Sequence, residues 1–127
     1  MIKVIINESN QTQIDWLVAK CLGKLDTVYY NDVNNFLVMY DRLGAFHFSD
    51  NWKLGGPIVD ELINDGFTIQ KADWGLGVKC FKVSGDTIQV SYGSTLMSAA
   101  MRCYVGQFYK TGEAEIPDEL TQDDRLG

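Results

Sequence analysis

Hydrophobic and polar positions follow two periods along this chain, and the period sorts the elements. Ile2–Ile6 is a short run rich in β-branched residues and predicts a first strand. Ile14, Leu17, Val18, Cys21 and Leu22 then fall on one side of a helix, with Thr12 as N-cap, Asp15 as its capping partner and Gly23 as stop. Trp16 lies off that stripe, where a large ring either packs on a neighbouring element or lines a site. Phe36–Tyr40 is apolar at every position, the pattern of a strand covered on both faces. A second helix is expected with Pro57 at its first position, Gly56 as cap, Val59, Leu62 and Ile63 as its buried side and Gly66 as stop. Phe67–Gln70, Val78–Val83 and Thr87–Tyr92 read as three further strands. Gly85-Asp86 makes a tight turn between the last two. Ile88, Val90 and Tyr92 are expected to point inward, with Gln89 and Ser91 outward.

A third helix is expected from about Ser94 to Tyr109. Leu96, Ala99, Ala100, Cys103, Tyr104 and Phe108 form its main stripe, and Met97, Met101 and Val105 form a second apolar line. A helix apolar on two sides is either buried on both or sits in a subunit interface. The interface reading makes the protein a homo-oligomer through Met97, Met101 and Val105. The order β-α-β-α-β-β-β-α predicts an α+β domain over residues 1–120: a mostly antiparallel sheet of four to five strands with helices packed on it, sandwich-like. Ile116 and Leu120 are expected to dock back on this body, leaving 121–127 as a short acidic tail.

Charge narrows the function classes. Net charge is −6, but residues 113–127 hold six acids and one base, while the rest holds 11 acids and 10 bases. A nearly neutral body argues against a binder of nucleic-acid polymers, which needs a basic face. It leaves room for one small anionic ligand. The longest apolar runs are about five residues, too short to span a membrane. Cys21, Cys80 and Cys103 have no CxxC spacing and read as reduced thiols, and His47 stands alone, so no metal and no cofactor is expected.

Catalytic motifs are absent: no GxSxG, HExxH, P-loop or paired Cys/His arrangement occurs, and His47 has no recognisable partner. The chain reads as a binding protein, not an enzyme. Two glycine- or hydroxyl-led helix starts stand out. At Gly55-Gly56-Pro57 open backbone N–H groups and a helix N-terminus suit an anion, and a tight loop-to-helix turn is the competing reading. Ser94-Thr95 after Gly93 carries the same two readings, ligand site or N-cap. Arg102, on the polar side of the third helix, can clamp a phosphate or pair with the acidic tail. Trp16, Trp52 and Trp74 lie outside the core stripes, where ring stacking is one use and packing another.

Three blocks of residues resemble one family. Ile14-Asp15-Trp16-Leu17-Val18-Ala19-Lys20-Cys21-x-Gly23, Ser49-Asp50-x-Trp52-x-x-Gly55-Gly56-Pro57-Ile58, and Ala99-Ala100-Met101-Arg102-Cys103-Tyr104-Val105 followed by Ile116-Pro117-Asp118-Glu119-Leu120 are similar to motifs of the NinX family of tailed-phage proteins. Ser94-Thr95 departs from that family's Thr-Pro at the third helix start, and Ser49-Asp50-Asn51-Trp52 departs from its Ser-Thr-Asp-Trp. The resemblance implies a phage protein acting in the cytoplasm of an infected bacterium. Its layout is similar to phage domains in which helices cover both faces of a sheet, and some small phage proteins of that kind bind the nucleotide second messengers of bacterial defence without degrading them. By that analogy the expected ligand is a cyclic oligonucleotide or a cyclic ADP-ribose type molecule. Its phosphates would lie on Gly55, Gly56, Ser94, Thr95 and Arg102, beside Ser49, Asp50 and Asn51, with a base on Trp52 or Trp16. The alternative is a protein-binding phage factor that blocks a host protein through the acidic tail.

Overall fold

The computed structural model describes residues 1–23, 29–33, 36–41, 44–45, 48, 52–72, 75, 77–117 and 120, with the course of the backbone alone at 29–33, 36–41 and 44–45. In chain order these form β1 (Ile2–Ile5), a single 3-10 turn (Ile6–Glu8), α1 (Gln11–Cys21), β2 (Tyr29–Val33), β3 (Phe36–Asp41), β4 (Gly44–Ala45), α2 (Trp52–Asn64), β5 (Thr68–Lys71), β6 (Val78–Ser84), β7 (Thr87–Gly93), α3 (Leu96–Gly106) and β8 (Glu113–Ile116). The fold is α+β and each of these strand pairings is antiparallel. The expected order is present with β2, β4 and β8 added to it. The single sheet of four to five strands is not: the described strands form three ladders, β1-β8, β2-β3-β4 and β5-β6-β7. Both three-stranded ladders join strands that are consecutive in the chain, so their pairing stays local.

The helix ends show which local signals won. Asn10, not Thr12, caps α1: its side chain accepts from the Gln13 N–H at 2.9 Å, and the Gln13 side chain accepts from the Asn10 N–H at 3.0 Å. This reciprocal pair satisfies two donors that a helix start otherwise leaves open. α2 closes on Gly66, which at φ 97 adopts the left-handed conformation that lets Phe67 N–H reach back to the Leu62 carbonyl at 3.0 Å. The start of α2 corrects the expectation. The helix begins at Trp52, so Pro57 is its sixth residue and Gly55 and Gly56 lie inside it. A proline there removes one ladder N–H.

α3 is the hub. It packs on β5, β6 and β7, with α1 and α2 against its other sides. Met97, Met101 and Val105 are 4%, 0% and 0% exposed, so the second apolar line is core and is closed to any subunit interface. The faces of β7 are also the reverse of the expectation. Ser91 is buried and Gln89 half-buried toward α3, while Ile88 and Tyr92 are exposed. Small and polar side chains fit there because α3 lies close: Gln89 Nε2 donates to the Cys103 carbonyl at 3.0 Å, and a Cβ on Gly106 would come within 3.3 Å of that same Nε2. Ile116 and Leu120 are buried as expected, and Gln13 Nε2 holds the Leu120 carbonyl at 2.9 Å.

Candidate functional site

The two helix starts that the sequence pairs as alternatives have different surroundings. Gly55 is buried where α2 meets α3, and a Cβ on it would strike the Met97 methyl and the Phe48 carbonyl oxygen. Its role is close packing. Gly56 is half-buried against Trp52, and as interior helix residues neither glycine offers the open N–H groups of a helix start. Trp52 is exposed at the first residue of α2, and Trp16 is buried at 3% exposure with Lys20 Nζ 5.6 Å from its ring centroid. A base cannot stack on Trp16. Ser49, Asp50 and Asn51, like His47 and Trp74, lie outside the described residues.

The start of α3 is open. Gly93 ends β7, Ser94 is exposed, and Thr95 caps the helix in a reciprocal pair: Ser98 N–H donates to Thr95 Oγ1 at 3.1 Å and Thr95 N–H to Ser98 Oγ at 3.2 Å. Two close approaches fix this corner. A Cβ on Gly93 would collide with Ser98 and the Ala99 nitrogen, and one on Gly77, at φ 87, would strike the Gly93 carbonyl.

Arg102 lies one turn further along α3. Its Nη1 donates to the Tyr92 carbonyl at 2.7 Å and its Nη2 to the Ser9 carbonyl at 2.6 Å. The guanidinium thereby ties the end of β7 to the residue just before the α1 cap. Of its five N–H donors, two are used among the described residues. Nε is buried, with no acceptor among the described residues. Burial shifts the guanidinium pKa below its ordinary value, which still leaves an arginine charged.

These pieces meet. Ser9, Asn10, Gln11 and Ile14 from the start of α1 face Ser94, Thr95, Ser98 and Arg102 from the start of α3 across a cleft of about 230 Å³. A second lobe of about 450 Å³, lined by Gly75, Gly77, Tyr92 and Gly93, shares Ser94 and Arg102 with the first. Among the described residues, no carboxylate lines either lobe. Two helix N-termini, with their partial positive charge, thus converge on one cleft that also holds an arginine. The structure brings Ser94, Thr95 and Arg102 together and leaves Trp16, Trp52, Gly55 and Gly56 elsewhere. Ser9, Asn10, Gln11, Ser98 and Tyr92 are the additions. Asn10-x-x-Gln13 is itself a capping signature, so the α1 side was open to detection, whereas nothing in the sequence joins it to Arg102.

A family model described as Bacteriophage P22, NinX matches residues 8–107. The chain belongs to the NinX family. No curated protein matches it. The NinX match runs from just before the α1 cap to the end of α3, so it contains every residue lining the cleft, while β1 and β8 lie outside it. Among the described residues, no helix is long and apolar enough to cross a membrane and no cluster of His, Cys, Asp and Glu could hold a metal. Cys80 and Cys103 are wholly buried, and the adjoining Cys80 thiol together with burial raises Cys103 above the ordinary thiol range, which keeps it protonated and unreactive.

Proposed function

We propose that this NinX protein binds a phosphate-bearing small molecule in the cleft between the starts of α1 and α3, and that it acts by holding the ligand, not by transforming it. The observation that carries this reading is the convergence of two helix N-termini on Arg102, in a cleft whose described lining residues supply hydroxyls, amides and glycines and no acid. Arg102 arrives preorganised by its two carbonyl bonds, one from each Nη, and each Nη carries a second N–H. A phosphate in the first lobe meets those donors and the Ser94 and Thr95 hydroxyls. The glycine-walled second lobe has room for the remainder of the molecule, with Tyr92 as its aromatic residue. Among the described lining residues no nucleophile is placed beside an activating base, which favours sequestration.

Within a phage family, the ligand class that fits is a nucleotide second messenger of bacterial defence, of the cyclic oligonucleotide or cyclic ADP-ribose type. Sequestering it would blunt that defence. Titration calorimetry with cyclic di- and trinucleotides, cyclic ADP-ribose isomers and inorganic phosphate tests the reading. Heat with at least one nucleotide is expected, lost in Arg102→Gln while the circular dichroism spectrum is kept. Silence across the nucleotide panel overturns it.

A further inference from the structure

We propose that the outer face of the β5-β6-β7 sheet is the surface through which two copies of this chain pair. The inference does not rest on the ligand reading, though the two share Tyr92. The inner face of this sheet is covered by α3, with Cys80 opposite Ser91 at its centre. The alternation then places the other set outside: Phe81 opposite Val90, Val83 opposite Ile88, and Lys79 opposite Tyr92. Val83, Ile88 and Tyr92 are 60%, 68% and 38% exposed. Scattered exposed apolar residues need no explanation. Val83 and Ile88 form one cross-strand pair, and the half-buried Phe81–Val90 pair joins it to Tyr92 in one stripe, the pattern a sheet ordinarily buries against a second layer. The described helices leave that face uncovered: α1 and α2 pack against α3, not against this sheet.

Charge selects a second copy as the layer. The stripe has Lys79 at one end, its ammonium 5.0 Å from the Phe81 ring, and Asp86 in the turn at the other. A twofold axis lying between the two sheets, parallel to their planes and running across the strands between the Phe81–Val90 and Val83–Ile88 pairs, lays each apolar pair on the other pair of the second copy. The same rotation brings Lys79 to the second copy's Asp86, twice by symmetry. Aligned face-to-face packing of two twisted sheets is a standard arrangement. The face is about 20 Å long and 10–15 Å wide, from the rise per residue and the strand spacing. That is smaller than the surface of a tight complex, so the pairing is concentration-dependent.

Sedimentation equilibrium of the full chain from about 1 μM to about 500 μM, a span of several kcal/mol in association free energy, is the test. The weight-average mass is expected to rise from one chain toward two. Ile88→Lys is expected to hold the chain monomeric throughout with an unchanged thermal melt, because Ile88 is solvent-facing in the single chain. Lys79→Glu and Asp86→Lys are each expected to weaken pairing about threefold or more, and combining them should restore it. A chain that stays monomeric over the whole range overturns the proposal and leaves the face to another partner. So does pairing that Ile88→Lys does not disturb, or a double charge exchange no better than its single members.

Discussion

Gly55-Gly56 and Gly93-Ser94-Thr95 look alike as strings of residues and do opposite work. At Gly55 the missing side chain is filled by a neighbour: the Met97 methyl and the Phe48 carbonyl take the space, and α2 closes on α3. At Gly93 the missing side chain lets the first turn of α3 fold back on the strand end, and the turn beyond it opens to solvent beside Arg102. The difference is the position of the helix boundary. Gly55 and Gly56 are inside α2, whereas Ser94 and Thr95 precede α3. A glycine next to a helix is therefore informative about anion binding only once the cap is known.

Four substitutions sharpen this contrast. Gly93→Ala is expected to be the most damaging, at about 3 kcal/mol in chemical denaturation, because the added methyl meets backbone as well as the Ser98 side chain. It should also abolish ligand binding in whatever fraction folds, by displacing the α3 start. Gly55→Ala is expected to cost about 2 kcal/mol, since the flexible Met97 side chain can yield in part while the Phe48 carbonyl cannot. Its folded fraction should bind ligand with unchanged affinity, and a parallel loss of affinity would break the contrast. Thr95→Ala removes a cap and is expected to cost about 1 kcal/mol, with a weakened calorimetric signal besides. Gly56→Ala is expected to stabilise by about 0.5–1 kcal/mol, since its Cβ finds only ordinary contact with the Trp52 ring, 3.6 Å away, in a helix interior. A thermal melt in which this variant falls below the parent protein would show that α2 does not run through Gly56.

The sequence revealed the helices more clearly than the faces they cover. Periodicity located α1, α3 and most of α2, and the Gly85-Asp86 turn located the β6-β7 hairpin, because these signals are local. The inward face of β7 was misread because hydrophobicity pointed to Ile88, Val90 and Tyr92. Close approach of α3 instead selected Ser91 and Gly93, side chains small enough to admit it. The same closeness turned Met97, Met101 and Val105 from a possible interface into core. Half of the cleft was legible as Ser94, Thr95 and Arg102. The other half depends on Ser9 and its neighbour Asn10; Arg102 reaches the Ser9 carbonyl across a long stretch of chain, and no side-chain pattern encodes that bond. β8 lies in the acidic stretch after α3, and a four-residue strand with two glutamates has no distinctive composition.

The pairing of β1 with β8 also sets an order of events. Ile2 lies opposite Ile116, and the Ile6 N–H extends the ladder to the Gly112 carbonyl at 2.9 Å. A ribosome releases the first of these strands long before the second exists, so β1 must wait unpaired through most of synthesis. Closing so long a loop is costly and slow compared with forming the local hairpins. The segment that carries Ser9 and Asn10 hangs directly on that waiting strand. The α1 side of the cleft is therefore made first but secured late, after α3 and β8, which follow each other closely in the chain, have both been made.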